Sequence, residues 1–376
     1  MRRSFAKTWK ASTVFLTGVT GFLGGAFLSA LLDSAFGGEV VCLVRADDQE
    51  SAEDRTRRSI ARFGGPRRLP PNVRVLRGDL LSEDWHTAPE LDDVTHVMHL
   101  GASTSFGNQR SIRKTNVEGA LSVAKAMQGR PLERYIHTGT AAICGAATEN
   151  VVDEDDYPSD SAVHLVAYTR SKAEAERLLL ERYADLPIVV ARPSIVVGDT
   201  RYGCKPSGSI FWVLRAIEAL RFITWNPENH VDVVPVDWAA DALKHLLFAP
   251  HLSYDRYHVS AGTGSSIQWN DLAAAYARLE GGPAKKRYEV GKFCQLTPSR
   301  VMRAVGDGHS RHLLHALELY YRFCSLDLAF DNQRLLAEGV APSPRFTDYM
   351  QVCLESSPSS IYEQMRVDLE PSLVLV

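Results

Sequence analysis

The feature that most constrains this chain is a run of glycines at spacing three, set between a strand pattern and a helix pattern. Thr13-Val-Phe-Leu-Thr17 is apolar and β-branched, as a buried strand is. It runs straight into Gly18-Val-Thr-Gly21-Phe-Leu-Gly24, after which Leu23, Phe27, Ala30 and Leu31 share one helix face. Gly18 permits the tight turn, Gly21 lets a pyrophosphate approach the backbone, and Gly24 lets helix and strand pack closely. Free amides at the helix start then face an anion, and the helix dipole assists. Glycine-rich loops are common; the order strand, loop, helix makes this one a dinucleotide signature.

Further strand patterns fall at Val40–Val44, Val73–Leu76, His96–Leu100, Arg134–Thr138 and Ile188–Ala191. Helical stretches lie near Phe22–Leu32, Ala52–Phe63, Ile112–Met127 and Tyr168–Tyr183. This alternation implies βαβ units and a parallel sheet, and the unbroken apolar runs imply helices on both faces. The expected fold is α/β, a Rossmann-type doubly wound parallel sheet with a smaller, mostly helical carboxyl-terminal lobe. We place the dinucleotide-binding unit at 1–248, with lobe insertions around 198–232, and the mainly helical substrate lobe at 249–376. His312–Phe330 is rich in leucine and aromatic residues. We read it as lobe core ahead of an acyl channel or a membrane or carrier contact, because buried helices carry the same pattern.

Composition removes several function classes. Lys plus Arg number 42 and Asp plus Glu 45, so a net charge of -3 gives no electrostatic reason to expect nucleic acid. No apolar run reaches the roughly 18–20 residues of a transmembrane helix. The basic stretch Met1–Lys10 reads as a short solvated arm, since no signal-peptide core follows it. The six cysteines are far apart with no CxxC pair, which argues against zinc or a disulfide framework and fits a reducing cytoplasm. His309, His312 and His315 recur every three residues without a carboxylate or cysteine motif, so no metal site is expected.

The end of the second strand selects the dinucleotide. An acidic residue there holds the ribose hydroxyls of NAD. Here Val40-Val-Cys-Leu-Val44 ends in Arg45. A guanidinium binds a 2'-phosphate through paired hydrogen bonds where a carboxylate repels it, so NADP(H) is favoured. Asp47 and Asp48 follow closely and weigh against this; Arg57 and Arg58 are either added positive charge or a solvated helix face.

Downstream, Tyr168-Thr-Arg-Ser-Lys172 opens a helix and puts two functional side chains four residues apart on one face. A phenol has an unperturbed pKa near 10, and an adjacent ammonium is expected to lower it. The tyrosine then exchanges a proton with a carbonyl or alcohol oxygen. Thr140, beyond the strand Arg134–Thr138, is placed to donate to the substrate oxygen as charge develops, with Thr138 as the rival. Asn116 sits inside a helix pattern that it fits poorly, which suggests a kink or a water-holding role, or else a solvent-facing residue. His99 and His137 read as buried strand residues.

Thr17-Gly18-x-x-Gly21-x-x-Gly24, Asp79, Asn116-Val117, Thr140, Tyr168/Lys172 and Arg192-Pro193-Ser194 together resemble an extended short-chain dehydrogenase/reductase. Cys42-Leu-Val-Arg45, Gly78-Asp79-Leu80, Ala191–Gly198 and Val231–Asp237 narrow the resemblance to the thioester-reductase and fatty acyl-CoA reductase branch, with its male-sterility-type NAD-binding domain. The similarity covers about Thr13–Glu280 and is thin beyond, although Phe330–Leu336 is similar to the branch's helical tail. The resemblance implies that Gly18, Gly21, Phe22 and Leu23 hold the pyrophosphate, Arg45 the 2'-phosphate, and Asp79 and Leu80 the adenine. Thr17, Thr20, Gly24, Leu100 and Thr138 complete the implied cofactor contacts, and Pro193 and Ile195 border the nicotinamide. Tyr168 becomes the acid/base, Lys172 the ribose-binding assistant, Thr140 the oxyanion donor, and Asn116 the fourth catalytic member. His99-Leu-Gly101-Ala102 departs from the branch's usual His-Asn-Ala-Ala.

The function this implies is NADPH-dependent hydride delivery to an acyl thioester, giving an aldehyde and a free thiol; whether a second hydride follows to give an alcohol is left open. Coenzyme A or an acyl carrier protein acting in trans would hold the acyl group. Competing readings are a ketone or aldehyde reductase or hydroxysteroid-type dehydrogenase, a sugar-nucleotide epimerase or dehydratase, and a non-catalytic NADP-binding sensor. Arg45 counts mildly against the epimerase, and the intact Thr140–Tyr168–Lys172 set counts against the sensor.

Overall fold

The computed structural model describes residues 12–104, 109–146, 151–159, 162–281, 288–306 and 309–373; the basic arm at Met1–Lys10 lies outside them. Seven strands form one sheet: β1 (Thr13–Thr17), β2 (Glu39–Val44), β3 (Val73–Arg77), β4 (His96–His99), β5 (Arg134–Thr138), β6 (Ile188–Pro193) and β7 (Arg256–Val259). Their spatial order is β3-β2-β1-β4-β5-β6-β7, and every pairing is parallel. This is the expected doubly wound α/β fold.

The unbroken apolar strands have a direct cause. Val14 and Leu16 of β1 pack with Phe27, Leu28 and Leu31 of α1 (Phe22–Leu32). Phe15, between them, faces the opposite side with Val123 and Ala124 of α3 and Leu179 of α4. Here α2 is Gln49–Ala61, α3 Gly119–Met127 and α4 Ala167–Arg182. Both faces are covered, so both alternating sets must be apolar, each such side chain contributing roughly 1.5–3 kcal/mol on burial.

The sheet runs past residue 248. Its edge strand β7 pairs with β6, Arg256 opposite Val190 through Val259 opposite Pro193. A second core lies outside the sheet. Phe211, Trp212 and Ile217 of α5 (Phe211–Leu220) pack there with Leu313, Leu317 and Tyr321 of α7 (Ser310–Cys324) and Phe346 and Met350 of α8 (Phe346–Ser356). Between these in sequence, α6 (Val236–Phe248) returns to the sheet and packs Ala239, Leu243 and Leu246 beside α1. The chain therefore crosses between the two cores more than once. The last helix, α9 (Ile361–Leu373), closes over α5: Trp212 Nε1 donates to Asp368 Oδ2 at 2.9 Å, and Arg215 Nη1 donates to Gln364 Oε1 at 2.6 Å. Among the described residues no helix is long and apolar enough to cross a membrane.

Candidate active site

The carboxyl ends of parallel strands open on one edge, and strand order reverses between β1 and β4, where an open α/β sheet forms its ligand crevice. The glycine loop sits at that reversal. Gly18 has φ +78, and a Cβ there would come within 2.6 Å of Gly101 N. A Cβ on Gly24 would lie 2.1 Å from Gly18 O, so turn and helix meet only because both residues lack one. Gly21 caps α1 with no side-chain acceptor of its own. Thr20, Phe22 and Leu23 are half-buried and Gly21 is exposed, whereas Gly24 to Ser29 are buried. The first amides of α1 thus face an open lip, a fit to the pyrophosphate of a nicotinamide dinucleotide. Thr17 holds the lip from behind: its hydroxyl hydrogen-bonds His99 Nδ1 at 2.7 Å and accepts from Gly101 N at 3.1 Å.

At the ends of β2 and β3, Arg45 is exposed and its Nη1 lies 3.7 Å from Asp79 Oδ2. Asp79 Oδ1 also accepts from Leu81 N at 2.9 Å. Asp48 is engaged elsewhere, capping α2 by accepting from Ser51 N at 2.7 Å. Arg57 and Arg58 both pair with Asp54 on the helix surface. Arg45 stands just past the end of β2; Arg55 Nη1 donates to its carbonyl, and Arg77 ends β3. Leu80 and Leu100 are half-buried beside the loop; Pro193 is buried at the end of β6, and half-buried Ile195 pairs with Val233.

Beyond β5 and β6, Tyr168 is half-buried in the first turn of α4, with Lys172 one turn on and buried. Thr140 caps the short turn Ala141–Cys144, accepting from Ala142 N and donating to Pro193 O, both at 3.4 Å. Its hydroxyl also hydrogen-bonds the Tyr168 phenol. Of the two candidate threonines, Thr140 is the one in contact with Tyr168; buried Thr138 has no hydrogen-bond partner for its hydroxyl among the described residues. The electrostatics differ from the expectation. Burial pushes the Tyr168 phenol up to about 12, with the Thr140 hydroxyl pulling it back. Burial likewise lowers Lys172 to about 8, opposed by the Glu176 carboxylate. Lys172 Nζ donates to the Thr138 carbonyl at 2.7 Å, so the ammonium is held by the strand end. Desolvation dominates at the phenol, so Tyr168 keeps its proton at neutral pH.

Asn116 lies in a π-turn, Lys114–Glu118, between the short helix Gln109–Arg113 and α3. The extra residue turns its side chain inward, where it is buried: Oδ1 accepts from Ser103 N at 2.7 Å and Nδ2 donates to Ser171 Oγ at 2.9 Å. His99 and His137 are buried on β4 and β5 with ring centroids 5.6 Å apart, and desolvation lowers His99 to about 3 and His137 well below its usual value. Both are neutral strand residues.

Sequence reasoning passed over Ser103, Ser171 and Glu176. Arg192, within the Arg-Pro-Ser motif, donates from Nε and Nη2 to Glu176 at 3.2 and 2.6 Å, both side chains fully buried. Arg192 Nη1 reaches the Glu154 carbonyl at 2.9 Å. The one signal for Glu176 was its place one turn after Lys172 on the same helix face.

A family model described as male sterility protein matches residues 16–243. The chain is 29% identical over 365 residues to the nonribosomal peptide synthetase asaC of Aspergillus flavus, covering 89% of this chain and 35% of that protein. It therefore spans about a third of that relative's length. Among solved structures it matches the terminal R domain from the myxalamid PKS-NRPS pathway with TM-score 0.75 at 20% identity, covering 92% of this chain and 90% of that one. A thiolation-reductase di-domain from an archaeal nonribosomal peptide synthetase matches with TM-score 0.71 at 17% identity, covering 92% and 75%. At these identities the structures establish a shared fold.

Proposed function

This chain belongs to the male sterility protein family, and from that premise we propose that it is an NADPH-dependent reductase of acyl thioesters. The observation that carries the reading is the meeting of Thr140, Tyr168 and Lys172 beyond β5, alongside the glycine loop. The names of similar proteins support the substrate class, since they include reductase domains of peptide synthetases, one beside a thiolation domain. Arg45 supports the choice of NADPH.

Reduced nicotinamide, when bound, supplies the hydride to the thioester carbonyl carbon. Lys172 is the group for the nicotinamide ribose, and its amine, already on the Thr138 carbonyl, fixes that end of the crevice. Thr140 donates to the carbonyl oxygen, and Tyr168 transfers its proton to that oxygen as negative charge builds. The product is a hemithioacetal. It expels the thiol when the carbon–sulfur bond breaks: the hydroxyl proton leaves, the thiolate is protonated, and an aldehyde remains. Carrier-protein pantetheine and coenzyme A present the same thioester to these groups. Asn116 acts from behind, on the Ser171 hydroxyl of the helix that carries Tyr168.

The test is an NADPH-oxidation screen of acyl-CoA and acyl-pantetheine thioesters against the matching aldehydes and ketones, with products identified. Thioester turnover with release of free thiol is expected. Tyr168→Phe should lower turnover by about 10²- to 10⁴-fold while NADPH still binds. Turnover confined to aldehydes or ketones moves the chain to the carbonyl-reductase class, and full activity in Tyr168→Phe removes the tyrosine from the mechanism.

A further inference from the structure

Two adjacent residues of α4, Ser171 and Lys172, send their side chains to different strand ends. Lys172 reaches the end of β5, with Nζ on the Thr138 carbonyl at 2.7 Å. Ser171 reaches the loop after β4 through a continuous set of hydrogen bonds. Ser103 N donates to Asn116 Oδ1 at 2.7 Å, and Asn116 Nδ2 donates to Ser103 O at 3.0 Å and to Ser171 Oγ at 2.9 Å. Ser171 Oγ then donates to the Tyr168 carbonyl at 2.7 Å. Ser171 is 3% exposed and Asn116 2%, so water does not compete for these bonds.

A hydroxyl carries one donor and two acceptor positions, and Ser171 uses both kinds at once. It thereby joins the backbone of Tyr168 to an asparagine that the π-turn has turned inward. The Lys172 and Ser171 anchors hold neighbouring residues of α4 to two different strand ends, so the turn that carries Tyr168 is tied to both. Displacing a reacting group by about 1 Å costs on the order of 10²-fold in rate, so the second anchor bears directly on proton transfer.

We infer that Ser171 is a positioning residue for Tyr168: its hydroxyl ties the turn that carries the phenol to the loop after β4 through Asn116. The inference rests on the reductase reading for its choice of substrate.

The test compares wild type, Ser171→Ala and Ser171→Thr as the full chain. In Ser171→Ala, kcat should fall about tenfold while the thioester KM and the NADPH Kd stay within about twofold. Ser171→Thr, which keeps the hydroxyl, should recover most of that loss. Amide hydrogen exchange in Ser171→Ala should speed up in peptides spanning 100–104 and 167–172 and stay unchanged in β1 and β2. An unchanged kcat, or kcat and KM worsening together, overturns the positioning role. If wild type reduces aldehydes but not thioesters, the substrate reading fails and the kcat–KM split is read on the aldehyde. If it reduces neither, the exchange comparison decides alone, and equal exchange in both peptides overturns the link.

Discussion

At the β2–β3 end of the crevice, Arg45 stands 53% exposed and 3.7 Å from Asp79, itself 36% exposed; at the β5–β6 end, Arg192 and Glu176 form a two-pronged pair with both side chains at 0%. The two arginines have the same chemistry and opposite situations. In water the Arg45–Asp79 attraction is screened and worth about 0–1 kcal/mol, so Arg45 can exchange its partner for a ligand phosphate at little cost. Arg192 has no water to fall back on, and its charge is tolerable only while Glu176 answers it. In the proposed function the crevice thus has an adaptable binding end and a rigid catalytic end. Lys172, one turn before Glu176, belongs to the rigid end and reads its field.

The sharpest way to break this contrast is Glu176→Gln. It leaves a fully buried guanidinium unpaired and should cost about 3–5 kcal/mol of stability, read as a lowered denaturation midpoint. A loss below about 1 kcal/mol would put the pair in the class of Arg45–Asp79 and erase the distinction.

Next in size is the alkaline limb of turnover. Burial depresses Lys172 from 10.5 to about 8, so its ammonium is lost at a lower pH than that of a free lysine. We expect kcat/KM to hold through neutral pH and fall about tenfold per unit above pH 8. The sign for stability is the reverse. Between about pH 8 and 10.5 the unfolded chain binds more protons at this residue, so the Lys172 contribution to stability rises with pH. Opposite trends in rate and stability over that window would sharpen the assignment, and a rate that stays flat to pH 10 would defeat it.

The smallest expected effect is at the adaptable end. Arg45→Asp should weaken NADPH binding by about tenfold or more, with NADH affected far less and the denaturation midpoint nearly unmoved. Equal loss for both dinucleotides, followed by fluorescence titration, would detach Arg45 from the 2'-phosphate.

Much of this was legible in the chain. The spacing of Gly18, Gly21 and Gly24 and the boundaries of β1, β5 and α1 follow from local rules, because a buried parallel strand and a glycine turn leave their mark on consecutive residues. Tyr168 and Lys172 were readable for the same reason, one helical turn apart. The inward turn of Asn116 was half-legible: a poor helix former signalled a break, but the π-turn and its partner Ser171, 55 positions away, are long-range facts. The partition at residue 248 missed that β7 belongs to the sheet edge, because a strand of four residues carries no mark of the distant partner it pairs with.

The sequence by itself determined the strands from β1 to β6, the anion-binding turn and the one-turn spacing of Tyr168 and Lys172, since all three depend on neighbours in the chain. Only the tertiary structure decided how those groups are charged. Burial raised the phenol of Tyr168, and it placed the Glu176–Arg192 pair out of reach of water. Desolvation is set by everything packed around a group, and that surrounding is assembled from segments the linear order keeps apart.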